Sequence, residues 1–196
     1  YILFTNNDVA TPKTARIVHS EDSERAFKEL NTKFPIILKS STGTQTGVGV
    51  VVIESMRSLH AVVQMILLYN KYLPIIIQEY IETDYDIRAV VCNGEVIGAM
   101  KRKVIMGDVR SNVSLGADAE EMELTELEKS ESIRIAELVK GKLVGVDLIP
   151  SKDREKIKPY CIEVNANLGF GGLEKSLKGS PTTTILKSFL NRDNWS

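Results

Sequence analysis

The chain has few of the residues that usually build soft metal sites or phosphorylated intermediates, with two cysteines and two histidines among 196 residues. Cys92 and Cys161 each lie alone in an apolar, strand-like run, without a Cys-x-x-Cys spacing. Cysteines in this setting are more often buried thiols than disulfide partners or zinc ligands. His19 and His60 lie in an N-terminal segment and in a predicted helix. The sequence therefore favours neither a disulfide framework, a zinc site nor a histidine that accepts phosphate.

Long hydrophobic runs and an excess of one charge are also lacking. The longest apolar run, around Val62 to Leu68, is too short to cross a bilayer, and the N-terminus has no basic segment followed by an apolar core. Lys and Arg total 25 against 26 Asp and Glu, giving a net charge of -1. Neither a nucleic acid nor a membrane is therefore expected as a partner. The expectation is a compact cytoplasmic protein, with 43% hydrophobic residues to fill its core.

Periodic patterns predict hairpins separated by amphipathic helices. Asn93-Gly94 is the strongest short hairpin signal, and Thr125-Glu126-Leu127-Glu128 is a capping box that predicts a helix to about Leu143. The other predicted elements are helices over 18–30, over 56–69 and from Ser180-Pro181 onward, and strands over 34–39, 48–53, 73–81, 86–104 (two strands), 144–149 and 161–165. This order predicts an α+β domain with mainly antiparallel sheets rather than a doubly wound fold.

Two of the predicted strands carry polar residues in apolar surroundings. Glu163 and Asn165 are two positions apart, so they share one face of a strand. If this strand forms a hairpin with the strand of Asp147 through the polar stretch 150–159, Asp147 comes close to Glu163, and two such carboxylates need a proton or a cation between them. Mg²⁺ is the natural cation because it prefers oxygen and is usually held by one or two carboxylates plus nucleotide phosphates. Chance polar residues at strand ends are the alternative interpretation.

A lysine and a glycine-rich loop follow the strand over 34–39. Lys39 ends the strand, and the loop over 41–49 contains Gly43 and Gly47, which would let backbone N–H groups approach phosphate oxygens. The loop is not a P-loop, because it lacks the Gly-Lys-Ser/Thr ending and precedes a strand. A flexible turn is the alternative for the loop alone. An inward-pointing Lys39 would need an anion to offset its desolvation.

Two cationic groups, Lys101-Arg102-Lys103 and Arg110-Ser111-Asn112, follow later in the chain. Each alone is compatible with a solvated surface. Together with a carboxylate metal site and a phosphate-covering loop, they form the combination used for phosphoryl transfer.

These segments, taken in order, resemble the ATP-grasp superfamily, and most closely its RimK-type alpha-L-glutamate ligase branch. The similarity runs from about Pro12 to the end of the chain. The matching pieces are Lys39 with its glycine loop, Gln78-Glu79-Tyr80-Ile81, Asp86-Ile87-Arg88, Arg110-Ser111-Asn112, Val146-Asp147, and Glu163-Val164-Asn165-Ala166 followed by Gly169, Gly172 and Glu174-Lys175. The resemblance implies an ATP-grasp fold in which an N-terminal subdomain, 1–81, and a C-terminal subdomain, 82–196, clasp ATP.

The resemblance also implies a role for each matching residue. The ligands of two Mg²⁺ or Mn²⁺ ions would be Asp147, Glu163 and Asn165. The groups that bind ATP would be Lys39, Gly43 and Gly47 at the phosphates, Gln78, Glu79, Tyr80 and Ile81 around adenine, and Asp86 at the ribose. The groups that meet phosphate or the reacting carboxylate would be Arg110 and Asn112, with Arg102, Arg88 and Lys103 as looser candidates for substrate charge.

The implied activity is ATP-dependent ligation of a carboxylate to an amine through an acyl phosphate, adding glutamate or a similar amino acid to a peptide or small acceptor. Family members usually carry a further N-terminal α/β domain, which is expected to be absent from this chain. The alternatives are an ATP-binding regulatory module and an ATP-grasp fragment that no longer catalyses. Apolar strand edges are compatible with a homo-oligomer.

Overall fold

The structure, a computed structural model, describes residues 1–40, 50–103, 119–168, 173–175 and 179–190. Within these residues the helices are α1 (Ile2–Thr5), α2 (Ser23–Leu30), α3 (Met56–Tyr69), α4 (Glu126–Leu138) and α5 (Pro181–Leu190), with a 3-10 turn at Ser20–Asp22. The strands are β1 (Thr14–Ile17), β2 (Ile36–Ser40), β3 (Val50–Ile53), β4 (Ile75–Glu79), β5 (Tyr85–Cys92), β6 (Glu95–Lys103), β7 (Ala119–Glu121), β8 (Leu143–Ile149) and β9 (Tyr160–Asn165).

The described residues form two compact units. Residues 12–82 form one, called the lysine unit below, and residues 1–11, 83–103 and those from 119 onward form the other, called the carboxylate unit. The chain passes between them next to the predicted boundary at 81 and 82. Residues 1–11 nevertheless lie in the carboxylate unit, because Val9 is buried in its core and the Cys161 N–H donates to the Ala10 carbonyl at 2.8 Å. The ATP-binding roles assigned to the two subdomains stay predictions.

The lysine unit is an antiparallel sheet with two helices. Its strand order is β1-β4-β2-β3, and β2 pairs with β3 as the predicted hairpin. The amphipathic helix predicted over 56–69 is confirmed as α3, whose Leu59 and Val63 are fully buried against the sheet. Ser55 begins this helix by accepting a hydrogen bond from the Ser58 N–H, which satisfies one of the free donors of the first turn.

The carboxylate unit is built on a longer antiparallel sheet of order β7-β6-β5-β8-β9. β5 and β6 turn at Asn93-Gly94, where both residues have positive φ, 48° and 80°. This is the conformation that two-residue hairpin loops require. The hairpin predicted from the sequence is confirmed at both residues.

Helix α4 covers one face of this sheet. Thr125 and Glu128 form the predicted capping box, with the Glu128 N–H donating to Thr125 Oγ1 and the Thr125 N–H donating to Glu128 Oε2. The predicted end at about Leu143 is wrong, since the helix stops at Leu138. Lys140 adopts a left-handed φ of 54°, a conformation that ends helices, and the chain then enters β8.

Ion pairs of α4 tether two distant segments of the carboxylate unit. Glu128 accepts two hydrogen bonds from Arg154, in the β8–β9 connection, at 2.7 and 2.8 Å. Glu131 pairs with Arg134 at 2.6 Å and with Lys158 at 3.1 Å. Arg134 also donates to backbone carbonyls of residues 7 and 8. These five side chains, Glu128, Glu131, Arg134, Arg154 and Lys158, are called the helix network below.

The two faces of the carboxylate-unit sheet differ in character. The α4 face is an apolar core that includes Ile87, Ala89 and Val146. On the opposite face, β5 changes character along its length, because Asp86 and Arg88 are followed by Val90 and Cys92, which pack in a second apolar cluster with residues of β6 and α5. Charged side chains therefore occupy one half of this face and an apolar cluster the other.

The predicted fold class, an α+β arrangement of mainly antiparallel sheets with flanking helices, is confirmed. Across the described ranges, no helix combines the length and the apolar composition needed to traverse a bilayer.

Candidate functional site

The β8–β9 hairpin brings the three predicted metal ligands onto one face of the sheet. Asp147 lies directly opposite Glu163, and Asn165 lies opposite Gly145. Since residues two positions apart share a face, Asp147, Glu163 and Asn165 all point away from the α4 side. Asn165 Nδ2 lies 3.2 Å from Asp147 Oδ2. The hairpin predicted from the sequence is confirmed, and it places the carboxylates of Asp147 and Glu163 on adjacent strands.

Two arginines bind the buried carboxylate of Asp147. Arg88, its cross-strand neighbour on β5, donates from Nε to Oδ1 at 2.7 Å and from Nη2 to Oδ2 at 2.6 Å. Arg102, from β6, brings Nη2 to 3.0 Å from Asp147 Oδ2. Asp147 is 3% exposed, whereas Glu163 is exposed. The site thus combines a buried, neutralised carboxylate with an exposed one on the next strand.

Arg102 is shared between two carboxylates. Its Nε and Nη2 donate to the two oxygens of Asp86 at 2.6 and 2.8 Å, and Nη2 also reaches Asp147. Asp86 and Arg102 are cross-strand partners and both are 4% exposed. Asp86, Arg88, Arg102 and Asp147 are called the sheet-face network below. Their two positive and two negative charges balance.

The charges in this network stabilise one another. Burial by itself raises the pKa of Asp147, but the neighbouring Arg102 and Arg88 outweigh it and hold the pKa below its ordinary value. Burial likewise opposes the positive charge of Arg102, yet Asp147 and Asp86 raise its pKa above the usual value. Burial raises the pKa of the nearby Cys161 thiol to about 12. Asp147 is therefore an anion with resident counter-cations, and Cys161 is a protonated thiol at neutral pH.

The Arg88 side chain lies close to Gly145 of β8. A Cβ added at Gly145 would lie 3.5 Å from both Cδ and Nε of Arg88 and 3.3 Å from Leu168 Cδ2. The distances to Arg88 are ordinary van der Waals contacts, and the tighter contact of such a Cβ would be with Leu168.

The donor set suits a hard divalent cation. Asp147, Glu163 and the Asn165 side-chain carbonyl supply oxygens, the ligand atoms that Mg²⁺ prefers. Within the described part of the chain, no cluster of three or more His, Cys, Asp or Glu residues has metal-binding geometry. The set therefore depends on an amide, and its two carboxylates need further oxygens, such as phosphates, to complete a coordination shell.

The lysine unit contains the predicted nucleotide-binding residues of β2 and β4. Lys39 is half-buried opposite Val50 and Ile76, on the face away from the core residues Leu38 and Ile77. Gln78 shares this face and donates to Thr14 Oγ1 at 2.8 Å.

Glu79 ends β4 and is held by the chain just before β1. Its N–H donates to the Lys13 carbonyl at 2.9 Å, and its Oε2 accepts from the Lys13 N–H at 3.3 Å. Tyr80 and Ile81 follow directly and are half-buried. The predicted adenine-binding segment is thus anchored to the sheet at its first residues.

The family model of the RimK-like ATP-grasp domain matches residues 1–189 of this chain. The chain belongs to the RimK-like ATP-grasp family. Among curated relatives, it is 31% identical over 193 residues to a "Probable alpha-L-glutamate ligase" of Vibrio atlanticus, an alignment that covers 97% of this chain and 61% of the relative. It is 33% identical over 176 residues to a protein of the same name from Enterobacter sp., covering 89% of this chain and 56% of the relative. The chain therefore spans about three fifths of the length of such relatives.

Solved ATP-grasp structures share the fold. The ATP-grasp ligase PsnB, complexed with a phosphomimetic variant of a minimal precursor, Mg and ADP, superposes with a TM-score of 0.71 at 20% identity, covering 96% of this chain and 56% of PsnB. D-alanine–D-alanine ligase from Bacillus anthracis, complexed with ATP, gives a TM-score of 0.69 at 20% identity, with 95% of this chain and 62% of that chain covered. The predicted ATP-grasp fold is thereby confirmed.

Some predicted site residues of this ATP-grasp chain lie outside the described residues: Gly43, Gly47, Arg110 and Asn112. Their roles stay predictions. Lys103 is described, but it lies on the face opposite Arg102 and approaches Glu120 at 3.7 Å. Lys103 therefore does not join the sheet-face network.

The sequence predicted Arg88 only as a possible contact for substrate charge and did not predict its ion pair with Asp147. It also did not predict the Asp86–Arg102 ion pair. The signal was present in Asp86-Ile87-Arg88, where an acid and a base two positions apart must share one strand face. Their partners could not be identified without knowing that β5 lies between β6 and β8. The ribose role of Asp86 stays a prediction, and a ribose would have to compete with Arg102 for that carboxylate.

Proposed function

We propose that this chain contains the metal- and nucleotide-binding machinery of an ATP-dependent carboxylate–amine ligase, which adds glutamate or a similar amino acid to a peptide or small acceptor. The observation that carries the proposal is the sheet face where Asp147 and Glu163 stand on paired strands beside Arg88 and Arg102. Membership of the RimK-like family and the names of the curated relatives support it.

Asp147, Glu163 and Asn165 would hold two Mg²⁺ or Mn²⁺ ions. Glu163 suits this role because it is exposed and lies opposite the buried Asp147. Bound metal would neutralise the phosphate oxygens of ATP and act as a Lewis acid during phosphoryl transfer.

ATP would be bound by the residues to which the resemblance assigns that role. Lys39 and the loop of Gly43 and Gly47 would bind the phosphates, the segment 78–81 would line the adenine pocket, and Asp86 would lie at the ribose. The position of Lys39 supports this role, since it is half-buried near the end of β2 and directly precedes the glycine-containing loop in the sequence.

Arg110, Asn112 and Arg102 would act on the reacting groups. A substrate carboxylate oxygen attacks the γ-phosphorus of ATP, the bond to the bridging oxygen breaks, and ADP leaves an acyl phosphate. A neutral amine then attacks the acyl carbon, the C–O bond to phosphate breaks, and the amine loses a proton as the amide forms. Cationic side chains stabilise the negative oxygen of the tetrahedral intermediate, and Arg110 is the leading candidate for that role.

Substrate-dependent phosphate release, combined with mass spectrometry of the products, tests the proposal. Amino acids and short peptides would be supplied in pairs with ATP and Mg²⁺. The expected result is ADP, phosphate and an amide product only when both a carboxylate and an amine substrate are present. Binding of the nucleotide without amide formation under every substrate mixture would instead indicate a regulatory module.

A further inference from the structure

The carboxylate of Asp147 has no free position for a metal ion in this structure. Arg88 donates two hydrogen bonds to it, Arg102 reaches Oδ2 at 3.0 Å, and Asn165 reaches the same oxygen at 3.2 Å. An ionised carboxylate accepts about four hydrogen bonds. A cation that binds Asp147 must therefore displace at least one of these donors.

The donors differ in how firmly they are held. The Arg102 side chain is 5% exposed and is held by both oxygens of Asp86, which it would keep after leaving Asp147. The Arg88 side chain is 17% exposed and directs two donors at Asp147. Arg88 is therefore the more solvent-accessible of the two arginines, and it is the one that contacts both oxygens of Asp147.

We propose that Arg88 is an exchangeable counter-cation, which occupies Asp147 until a divalent metal ion arrives and then turns to the anion that accompanies the metal. This inference rests on the proposed function, because it takes Asp147 as a metal ligand. The anion is of the phosphate class, since a guanidinium that releases a carboxylate can form the same paired hydrogen bonds with a phosphate.

The consequence is a built-in coupling between metal and nucleotide. Without nucleotide, a divalent ion enters a charge-balanced network and has to expel Arg88 into solvent. With nucleotide, the displaced Arg88 gains a phosphate partner and the metal gains phosphate oxygens. Each ligand therefore raises the affinity for the other, and the coupling must be reciprocal.

The test is calorimetric titration of Mn²⁺ into the full chain, with and without a non-hydrolysable ATP analogue. Arg88→Gln removes both Arg88 donors from Asp147 and leaves Oδ1 open, while Arg102 and Asn165 stay at Oδ2. The Mn²⁺ affinity of this variant without nucleotide should rise by at least about tenfold, because a buried cation no longer repels the metal ion. The factor by which the analogue tightens Mn²⁺ binding should fall correspondingly.

Arg25→Gln is the matched control, because Arg25 likewise forms ion pairs with carboxylates, Asp22 at 3.0 Å and Glu29 at 2.7 Å, but on the surface of the lysine unit. Its Mn²⁺ titrations should equal those of the wild type. Arg88→Lys keeps the charge but cannot donate to both oxygens from a planar fork. It should give a smaller gain, and it carries the test if Arg88→Gln does not fold.

An unchanged or lower Mn²⁺ affinity in the folded Arg88 variants would overturn the exchange, provided that the wild type binds Mn²⁺ together with the analogue. Absence of Mn²⁺ binding by the wild type even with the analogue would instead overturn the metal site of the proposed function, and the exchange with it.

Discussion

The carboxylate unit contains two ion-pair networks, and they differ in which segments of the chain their ion pairs connect. In the helix network, Glu128 accepts hydrogen bonds from Arg154 and from the N–H of Thr125, the residue that caps α4. Glu131 forms ion pairs with Arg134 and Lys158. These contacts tie α4 to residues 7 and 8 and to the β8–β9 connection. The sheet-face network instead links β6, β5 and β8, three consecutive strands of one sheet that the backbone ladder already joins.

This difference in connected segments indicates that one network serves stability and the other serves binding. The helix network connects segments that would otherwise be joined weakly, so its removal should lower stability. The sheet-face network lies beside the exposed Glu163, so its removal should change what the protein binds. Buried ion pairs by themselves are weak evidence for stability, and the surroundings of each network decide between the two roles.

The largest expected effect is the loss of turnover in Glu163→Ala. If Glu163 is a metal ligand as proposed, its removal should lower ATP turnover by at least about a hundredfold, while the free energy of unfolding stays within about 0.5 kcal/mol because no core volume is lost. Glu137→Ala, at an exposed position of α4, is the control and should keep full turnover. If purified Glu163→Ala turned over ATP at the wild-type rate, the proposal that Glu163 is a metal ligand would be wrong.

Glu128→Ala should produce the opposite pattern. It removes half of the capping box and leaves Arg154 without its carboxylate, which should lower the free energy of unfolding by about 2–4 kcal/mol. The affinity for Mn²⁺ with an ATP analogue should stay that of the wild type under conditions where the variant is folded. Urea denaturation measures the first quantity, with the exposed Glu126→Ala as control. Equal stability of the two variants would show that the helix network is dispensable.

Lys39→Ala extends the comparison to the lysine unit. Loss of one charge-assisted contact with phosphate should weaken binding of a non-hydrolysable ATP analogue by about tenfold, as measured by titration calorimetry. Lys33→Ala removes an exposed lysine just before β2 and should leave the affinity unchanged. An unaltered affinity in Lys39→Ala would count against its phosphate role.

The smallest expected effect is a pH dependence that belongs to the helix network. Burial alone would raise the pKa of Glu131, but hydrogen bonds from Arg134 and Lys158 outweigh it and hold the pKa below its ordinary value of 4.5. A carboxyl whose pKa is lower in the folded state than in the unfolded state stabilises the fold at pH values above the unfolded-state pKa. This contribution is lost as the pH falls through the folded-state pKa. The difference in unfolding free energy between wild type and Glu131→Gln should therefore shrink as the pH falls below 4.5. A difference that stays constant over this range would show that the Glu131 charge is not stabilising.

Local patterns were sufficient to predict most of the elements and one part of the site. Alternation along β8 and β9 predicted that Asp147, Glu163 and Asn165 share a face, and Asn93-Gly94 predicted its hairpin. The burial of Asp147 under two arginines could not be predicted, because it depends on β5 lying between β6 and β8. The end of α4 was missed for a local reason, the left-handed Lys140, a conformation that lysine rarely adopts. The packing of residues 1–11 depends on contacts distant in sequence.

The most direct test of the central claim, that the sheet face of the carboxylate unit binds metal together with nucleotide, is electron paramagnetic resonance of Mn²⁺. Wild type and Glu163→Ala would be titrated with Mn²⁺ in the presence of a non-hydrolysable ATP analogue. The wild type should show saturable binding that depends on the analogue, and Glu163→Ala should lose it. Equal binding by the two proteins would contradict the claim.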